Sequence, residues 1–263
     1  MPLELGWDVL ALLGLAAFAS GFVDAISGGG GMITMPALLL AGLDPVSAVA
    51  TNKLQGVFGT GSSMAAYARA RMIDWKRLGW MMAGAAMAGM AGSFAVKSLP
   101  DHVLKALVPL LLLGVAVYFA FSPSLKDEDA HQRMRPVVFG VVLVWPVAFY
   151  DGFFGPGAGS FYMLGGVALL GFGVLRAAAQ TKALNFASNL ASLSFFISQG
   201  LVVWPVGLVM GATAFAGAQV GSRLAIRHGV KLIKPMLVVM CLAIAVKLML
   251  DPANPLRQFL APH

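Results

Sequence analysis

Long apolar stretches, each closed by glycine, proline or a few charges, divide the chain into ten segments. In the first half they lie near 7–27, 31–42, 45–70, 75–96 and 101–121; in the second, near 137–154, 158–172, 174–199, 203–226 and 231–250. Most approach the roughly 17–25 apolar residues with which a helix crosses a hydrocarbon core about 30 Å thick. Segment 31–42 does not, because as a helix it covers only about 18 Å. It reads as a half-helix that returns from the run SGGGG at 27–31. The pattern predicts an all-α polytopic membrane protein.

The two halves resemble each other, which points to an internal duplication. FVDAISGGGGMI pairs with FYDGFFGPGAGSF, setting Asp24 opposite Asp151 and the four glycines opposite Gly155, Gly157 and Gly159. Downstream, ATNKLQG pairs with QTKALNF, with Thr51 opposite Thr181 and Gln55 opposite Asn185; AGMAGS at 88–93 matches AGAQVGS at 216–222 with one insertion. The boundaries expected are a first membrane repeat over 1–121, a polar cytoplasmic linker over 122–136 (SPSLKDEDAHQRMRP) and a second membrane repeat over 137–263.

Charge gives the orientation of the copies. Arg69, Arg71, Lys76 and Arg77 crowd one link, whereas its counterpart QGLVVWP has no charge. Conversely, SLPDHVLK at 98–105 is mixed, while its counterpart holds Arg223, Arg227, His228, Lys231 and Lys234. Basic links lie in the cytoplasm, so equivalent links fall on opposite sides. The architecture expected is two inverted repeats, each with a glycine-broken helical hairpin plus about three transmembrane helices. With the linker inside, both termini come out external.

Composition agrees: 59% of the 263 residues are hydrophobic, only 11% are charged, and the mean hydropathy is +0.84. The net charge of +7 sits in the links and reads as anchoring to anionic lipid. No basic, aromatic-laced segment lies outside the spans, so nucleic acid is not an expected partner. The single cysteine, Cys241, excludes an intramolecular disulfide and a cysteine metal site. The N-terminal stretch contains Glu4 and Asp8 but no Lys or Arg before Lys53, which argues against a cleavable signal peptide. No cofactor and no metal are expected.

Unwound backbone at membrane depth is tolerated only where protein or a water-filled cavity surrounds it. The break at Ser27, Gly28, Gly29, Gly30 and Gly31, and its partner at Gly155, Gly157 and Gly159, are therefore expected to line a cavity near the midplane. Freed N–H groups and the positive dipole end of a returning half-helix suit an anion. Close helix packing through small residues is the alternative reading of the glycines. Two polar clusters stand beside the breaks: Thr51, Asn52, Lys53 and Gln55, and Thr181, Lys182, Asn185 and Asn189. Ionisable residues within a span point to a functional site. The sequence leaves open whether the lysines bind solute or snorkel to headgroups. Asp24 and Asp151 are candidates for proton coupling, since burial raises a carboxylate pKa; a structural pairing with Lys53 or Lys182 is equally open.

GFVDAISGGGGMITMPALLLAGLDPVSAVATNKLQG, and YDGFFGPGAGSF followed by TKALNFASNLASL, are similar to the two signature regions of the TauE/SafE sulfite exporter family of bacterial permeases. That resemblance implies a multi-pass permease of the bacterial inner (plasma) membrane that moves sulfur-containing anions. It implies a site built from Gly28 to Gly31 with Thr51, Asn52 and Lys53, and from Gly155 to Gly159 with Thr181, Lys182, Asn185 and Asn189. The function expected is a secondary transporter for small anions, with sulfite or organosulfonates as the class and alternating access as the mechanism. A passive anion channel or a membrane subunit of a larger complex is the alternative. A membrane-embedded enzyme fits poorly, because His102, His131, His228 and His263 all fall in links or at the terminus. The partners expected are the solute and the lipid bilayer; a homodimer is compatible with such folds, though no residue specifies one.

Overall fold

The computed structural model describes residues 6–100 and 131–229, with Val103, Leu107, Leu111 and Asp129 besides. The segments expected at 101–121 and 231–250, and with them Cys241 and most of the linker, lie outside these bounds. Among the described residues there is no strand. The helices are α1 (Trp7–Ser27), α2 (Gly31–Leu40), α3 (Pro45–Arg69), α4 (Trp75–Ser98), α5 (Pro136–Phe153), α6 (Ala158–Leu170), α7 (Val174–Ser198) and α8 (Trp204–His228). One wide π turn, Gly140–Val144, interrupts α5.

Local chemistry sets the boundaries. Asp44 caps α3 by accepting from the N–H groups of Val46 and Ser47 at 3.1 and 3.0 Å, with Pro45 at the first helical position, where its missing N–H costs nothing. Asp74 caps α4 through the Arg77 N–H at 3.2 Å. The glycine before α7 has no side chain to do this, and the linker supplies one instead. Asp129 accepts from the Gly173 N–H at 2.6 Å and from Arg176 at 2.9 Å, and these contacts, the Gly173 N–H foremost, hold its carboxyl below the usual carboxylate range. Segment 31–42 stops at Leu40, and 158–172 at Leu170, because Gly42 and Gly171 carry positive φ.

Among the described residues, α1, α4 and α5 are the helices both long and apolar enough to cross a membrane by composition. At 25 residues each, α3 and α7 reach about 37 Å. Their polar side chains lower the hydropathy, and these point inward: Thr51, Asn52, Lys53, Thr181, Lys182, Asn185 and Ser188 are all buried.

Two apolar clusters, each drawing on both halves, frame this polar layer. Helix α3 places Val46, Val49 and Leu54 in one cluster and Tyr67 in the other; α7 starts in the second with Val174 and Ala178 and ends in the first with Leu193 and Phe196. The two helices therefore run in opposite directions between the clusters. The same test opposes α1 (Leu13 to Ile26) to α5 (Val144 to Phe154), and α4 (Met81 to Val96) to α8 (Met210 to Ala225).

Packing is also exchanged between halves: α1 lies on α8, α4 on α5, and α3 on α7 at the centre. Glycines allow backbone to meet backbone there. A Cβ on Gly217 or Gly221 would strike the carbonyls of Phe18 or Phe22, and one on Gly92 or Gly152 would strike Phe149 or Gly89. Such small-residue seams replace the hydrophobic drive that lipid does not supply. Gly152→Ala is therefore expected to lower the melting temperature in detergent. Gly79→Ala, within α4 and with open space around it, should raise stability by up to about 1 kcal/mol through helix propensity alone. Equal effects would refute the seam.

Candidate functional site

Both glycine-rich breaks are present, and they meet. Helix α1 ends at Ser27, with Gly28 in the left-handed conformation at φ 81° and its N–H on the Asp24 carbonyl at 2.9 Å. Gly157, at φ 83°, stands just before α6. Ser160 Oγ donates to the Ser27 carbonyl at 2.7 Å, and a Cβ on Gly28 would overlap Gly159 and Ser160 backbone. Gly31 lies against Pro156. The two turns interlock backbone to backbone inside the protein.

Each break is tied to the long helix of the opposite half. Lys53 Nζ donates to Asp151 Oδ1 at 2.8 Å and to the Asp151 carbonyl. Lys182 Nζ donates to Asp24 Oδ2 at 2.9 Å and to the Asp24 carbonyl. Both lysines are buried, so neither snorkels. Their ammonium groups satisfy helix-terminal carbonyls as well as carboxylates, hydrogen bonds that offset part of the cost of burying each pair. The pairs differ in one respect. Asp151 also accepts from Ser188 and its side chain is 5% exposed, whereas that of Asp24 is 16% exposed.

The equivalence differs by one residue from the pairing of ATNKLQG with QTKALNF. Lys53 and Lys182 are each the ninth residue of a 25-residue helix. The seventh residues agree: Thr51 accepts from the N–H of Val203, the N-cap of α8, at 3.1 Å, and Gln180 from that of Asp74, the N-cap of α4, at 3.3 Å. In this register Asn185 corresponds to Gly56 and Asn189 to Thr60. Sequence identity at Thr51 and Thr181 suggests otherwise, but hydrogen bonding follows helix position rather than side-chain identity.

A partly open cleft enclosing about 440 Å³, its mouth included, lies beside the crossed turns. Gly28, Gly30, Gly31, Asn52, Gln55, Gly155, Gly159, Asn185 and Asn189 line it, with Asp24 and Asp151. Ser27, Gly29, Thr51, Lys53, Gly157, Thr181 and Lys182 do not. The lysines lie one shell back behind the aspartates, and Thr51 ties α3 to α8. Sequence reasoning missed Ser20, Gly21, Gly56, Gly59 and Thr60, which also line the cleft, as does Ala158 within the expected 155–159 run. The one available signal was helical spacing from Asp24 and Gln55: 20, 21 and 24 share a face of α1, and 52, 55, 56, 59 and 60 share a face of α3.

The amides are held in fixed orientations. Asn52 Oδ1 accepts from Thr34 Oγ1 at 2.7 Å, which turns its Nδ2 toward Gly31. Asn189 Nδ2 donates to the Asn185 carbonyl at 2.8 Å. Asn185 is 4% exposed, and its Oδ1 has no hydrogen-bond partner among the described residues. The N–H groups of Gly31 and Gly159, in the first turns of α2 and α6, have no intrahelical acceptor. The cleft thus presents amide donors, a few acceptors and two carboxylates that are already neutralised.

Such crossed, broken hairpins around a polar hollow are a membrane-transport arrangement, and comparison with known proteins agrees. The family described as Sulfite exporter TauE/SafE matches residues 13–248. The chain belongs to this family. It is 49% identical over 257 residues to the "Probable membrane transporter protein ORF9" of Sinorhizobium sp, covering 98% of each chain. It is 41% identical to a "Probable membrane transporter protein" of Haemophilus influenzae, covering 95% of this chain and 98% of that one. With the "Probable membrane transporter protein YfcA" of Escherichia coli K12 it shares 40% identity over 92% of this chain and 90% of that one. No solved structure matches it. As a TauE/SafE protein it is a membrane transporter.

Proposed function

We propose that this TauE/SafE protein is a secondary transporter of small anions of the sulfite or organosulfonate class, acting in the bacterial inner membrane with both termini external. The observation that carries this reading is the crossing of two broken hairpins, with Gly31 and Gly159, in the first turns of α2 and α6, on one polar cleft. First-turn amides and the dipole ends behind them favour an anion. Asn52, Gln55, Asn185 and Asn189 complete the binding site. Lys53 and Lys182 act at one remove, neutralising Asp151 and Asp24 so that the cleft carries no net negative charge. Asp24 and Asp151 are the carboxylates through which a proton would couple.

Alternating access follows from the opposed directions of α1 and α5, α3 and α7, and α4 and α8, which support an inverted repeat. In such folds one bundle rocks against the other around a fixed site. Here that site is the Gly28–Gly159 crossing, and the Lys–Asp pairs link the bundles across it. With an inside-negative potential, export of a monoanion gains about 2.3 kcal/mol per 100 mV.

Purified protein in proteoliposomes is expected to give saturable sulfite or sulfonate flux with counterflow. Asn52→Leu, which removes one donor, should raise the half-saturating concentration roughly tenfold with the fold retained. Linear, non-saturating flux would identify a pore instead.

A further inference from the structure

We infer that the solute taken by this cleft is a singly charged oxyanion that carries a hydrogen-bond donor of its own, an O–H or N–H. A dianion or an anion offering only acceptors fits less well. The inference deepens the anion-transport reading and rests on it.

The charge inventory comes first. Among the residues lining the cleft the ionisable side chains are Asp24 and Asp151, each bound to one lysine. Two carboxylates and two ammonium groups sum to zero, so among the described residues no surplus cation meets a second negative charge. Helix-end amides supply only fractional charge, about half a unit at each end. A dianion would therefore enter a low-dielectric site with most of its charge unmatched, whereas a monoanion would meet the partial charges of two helix ends.

Hydrogen-bonding capacity decides the rest. Asn185 Oδ1 is buried, has no donor among the described residues, and belongs to a residue lining the cleft. Asp24 Oδ1 is met only by the Gly30 N–H at a long 3.4 Å. A buried acceptor left unpaired is costly, and Asn185 Oδ1 needs a proton from whatever occupies the cleft; the Asp24 carboxylate, 16% exposed, is a second acceptor open to the same solute. An alkylsulfonate has none to offer. Hydrogen sulfite has one, and a solute with an amino group has more. The charged and titratable groups around these acceptors are Lys182 on α7, Lys53 and Tyr67 on α3, Asp151 and Tyr150 on α5 and Tyr162 on α6. Tyr67 OH donates to the Ala25 carbonyl at 2.9 Å and Tyr150 OH to the Pro156 carbonyl at 2.6 Å, so neither hydroxyl proton is spent on Asn185 or Asp24.

The test uses the full chain in proteoliposomes at zero membrane potential, with protein-free vesicles subtracted. Labelled sulfite is supplied at fixed total concentration across the pH range in which hydrogen sulfite loses its proton. Methanesulfonate, a monoanion without a donor that does not titrate there, runs in parallel and reports the protein's own pH response. The expected result is a sulfite-to-methanesulfonate rate ratio that is highest at the acid end and falls roughly tenfold per pH unit beyond that ionisation. Asn185→Ala should cut the ratio at the acid end roughly fivefold to tenfold, the effect of one hydrogen bond to a buried acceptor. The wild-type profile alone decides the matter if that variant misfolds. A ratio that is flat or rises with pH, or a flux that requires Na⁺, overturns the inference and leaves anion transport standing. No protein-dependent flux of either anion at any pH overturns both.

Discussion

Lys53→Met is expected to cost about 3–5 kcal/mol of stability, because removing one partner of a buried ion pair strands the other charge. Asp151 would keep only the Ser188 hydroxyl, and the carbonyl at the end of α5 would lose its ammonium donor. The double variant Lys53→Met with Asp151→Leu should regain most of that loss, since apolar replacement of a whole buried pair is often close to neutral. Lys182→Met should cost less than Lys53→Met. Its partner Asp24 is three times as exposed as Asp151 and lines the cleft, where water can solvate the freed carboxylate. Thermal melts of purified protein in one detergent, at constant pH, measure all three against wild type. Single variants within about 1 kcal/mol of wild type, the range of exposed pairs, would mean that the lysines are solvated and that the two halves are not tied together here.

Gly28→Ala is the second large effect. The residue's φ of 81° costs a side-chain-bearing residue about 1–2 kcal/mol. The new Cβ would in addition overlap Gly159 and Ser160 backbone, and overpacking adds about 1–3 kcal/mol. Gly200→Ala separates the two terms, because Gly200 also has a positive φ, 67°, with nothing near its missing Cβ. That control should lose only the backbone contribution. If melts show equal losses at the two positions, the turns do not touch. If Gly28→Ala costs more and abolishes flux while keeping a folded, monodisperse protein, the crossing is both structural and functional.

The position of every described helix was legible from breakers and apolar runs, to within two residues at most ends. Glycine and proline act locally through φ and a missing donor, so they mark boundaries without knowledge of the fold. The π turn in α5 was not legible, because no residue in Gly140–Val144 announces it. It occurs where Gly140 meets the Trp80 ring of α4, a contact decided by packing. The site was half legible. Breaks, aspartates and amides stood out as polar or flexible residues in an oily chain. Thr60 and the glycines of α3 and α1 looked like ordinary spacers, and only tertiary packing, with Gly56 against Asn189 and Gly21 against Ala214, makes them cleft walls.

What the chain determined by itself were the properties that depend on near neighbours: helical spans in an apolar solvent, interruptions where glycine and proline fall, and a resemblance between the halves in both. What tertiary structure alone decided was the use of each lysine. A charge in a span must find a counter-charge, but whether that is a headgroup, a solute or an aspartate depends on which helix end lies within reach. Residues 98 positions apart for Lys53 and 158 apart for Lys182 meet only because the halves exchange partners. That exchange also leaves Asn185 Oδ1 without a donor among the described residues, since hydrogen bonding across 133 residues, from Ser160 to Ser27, fixes the turns before the cleft beside them is filled.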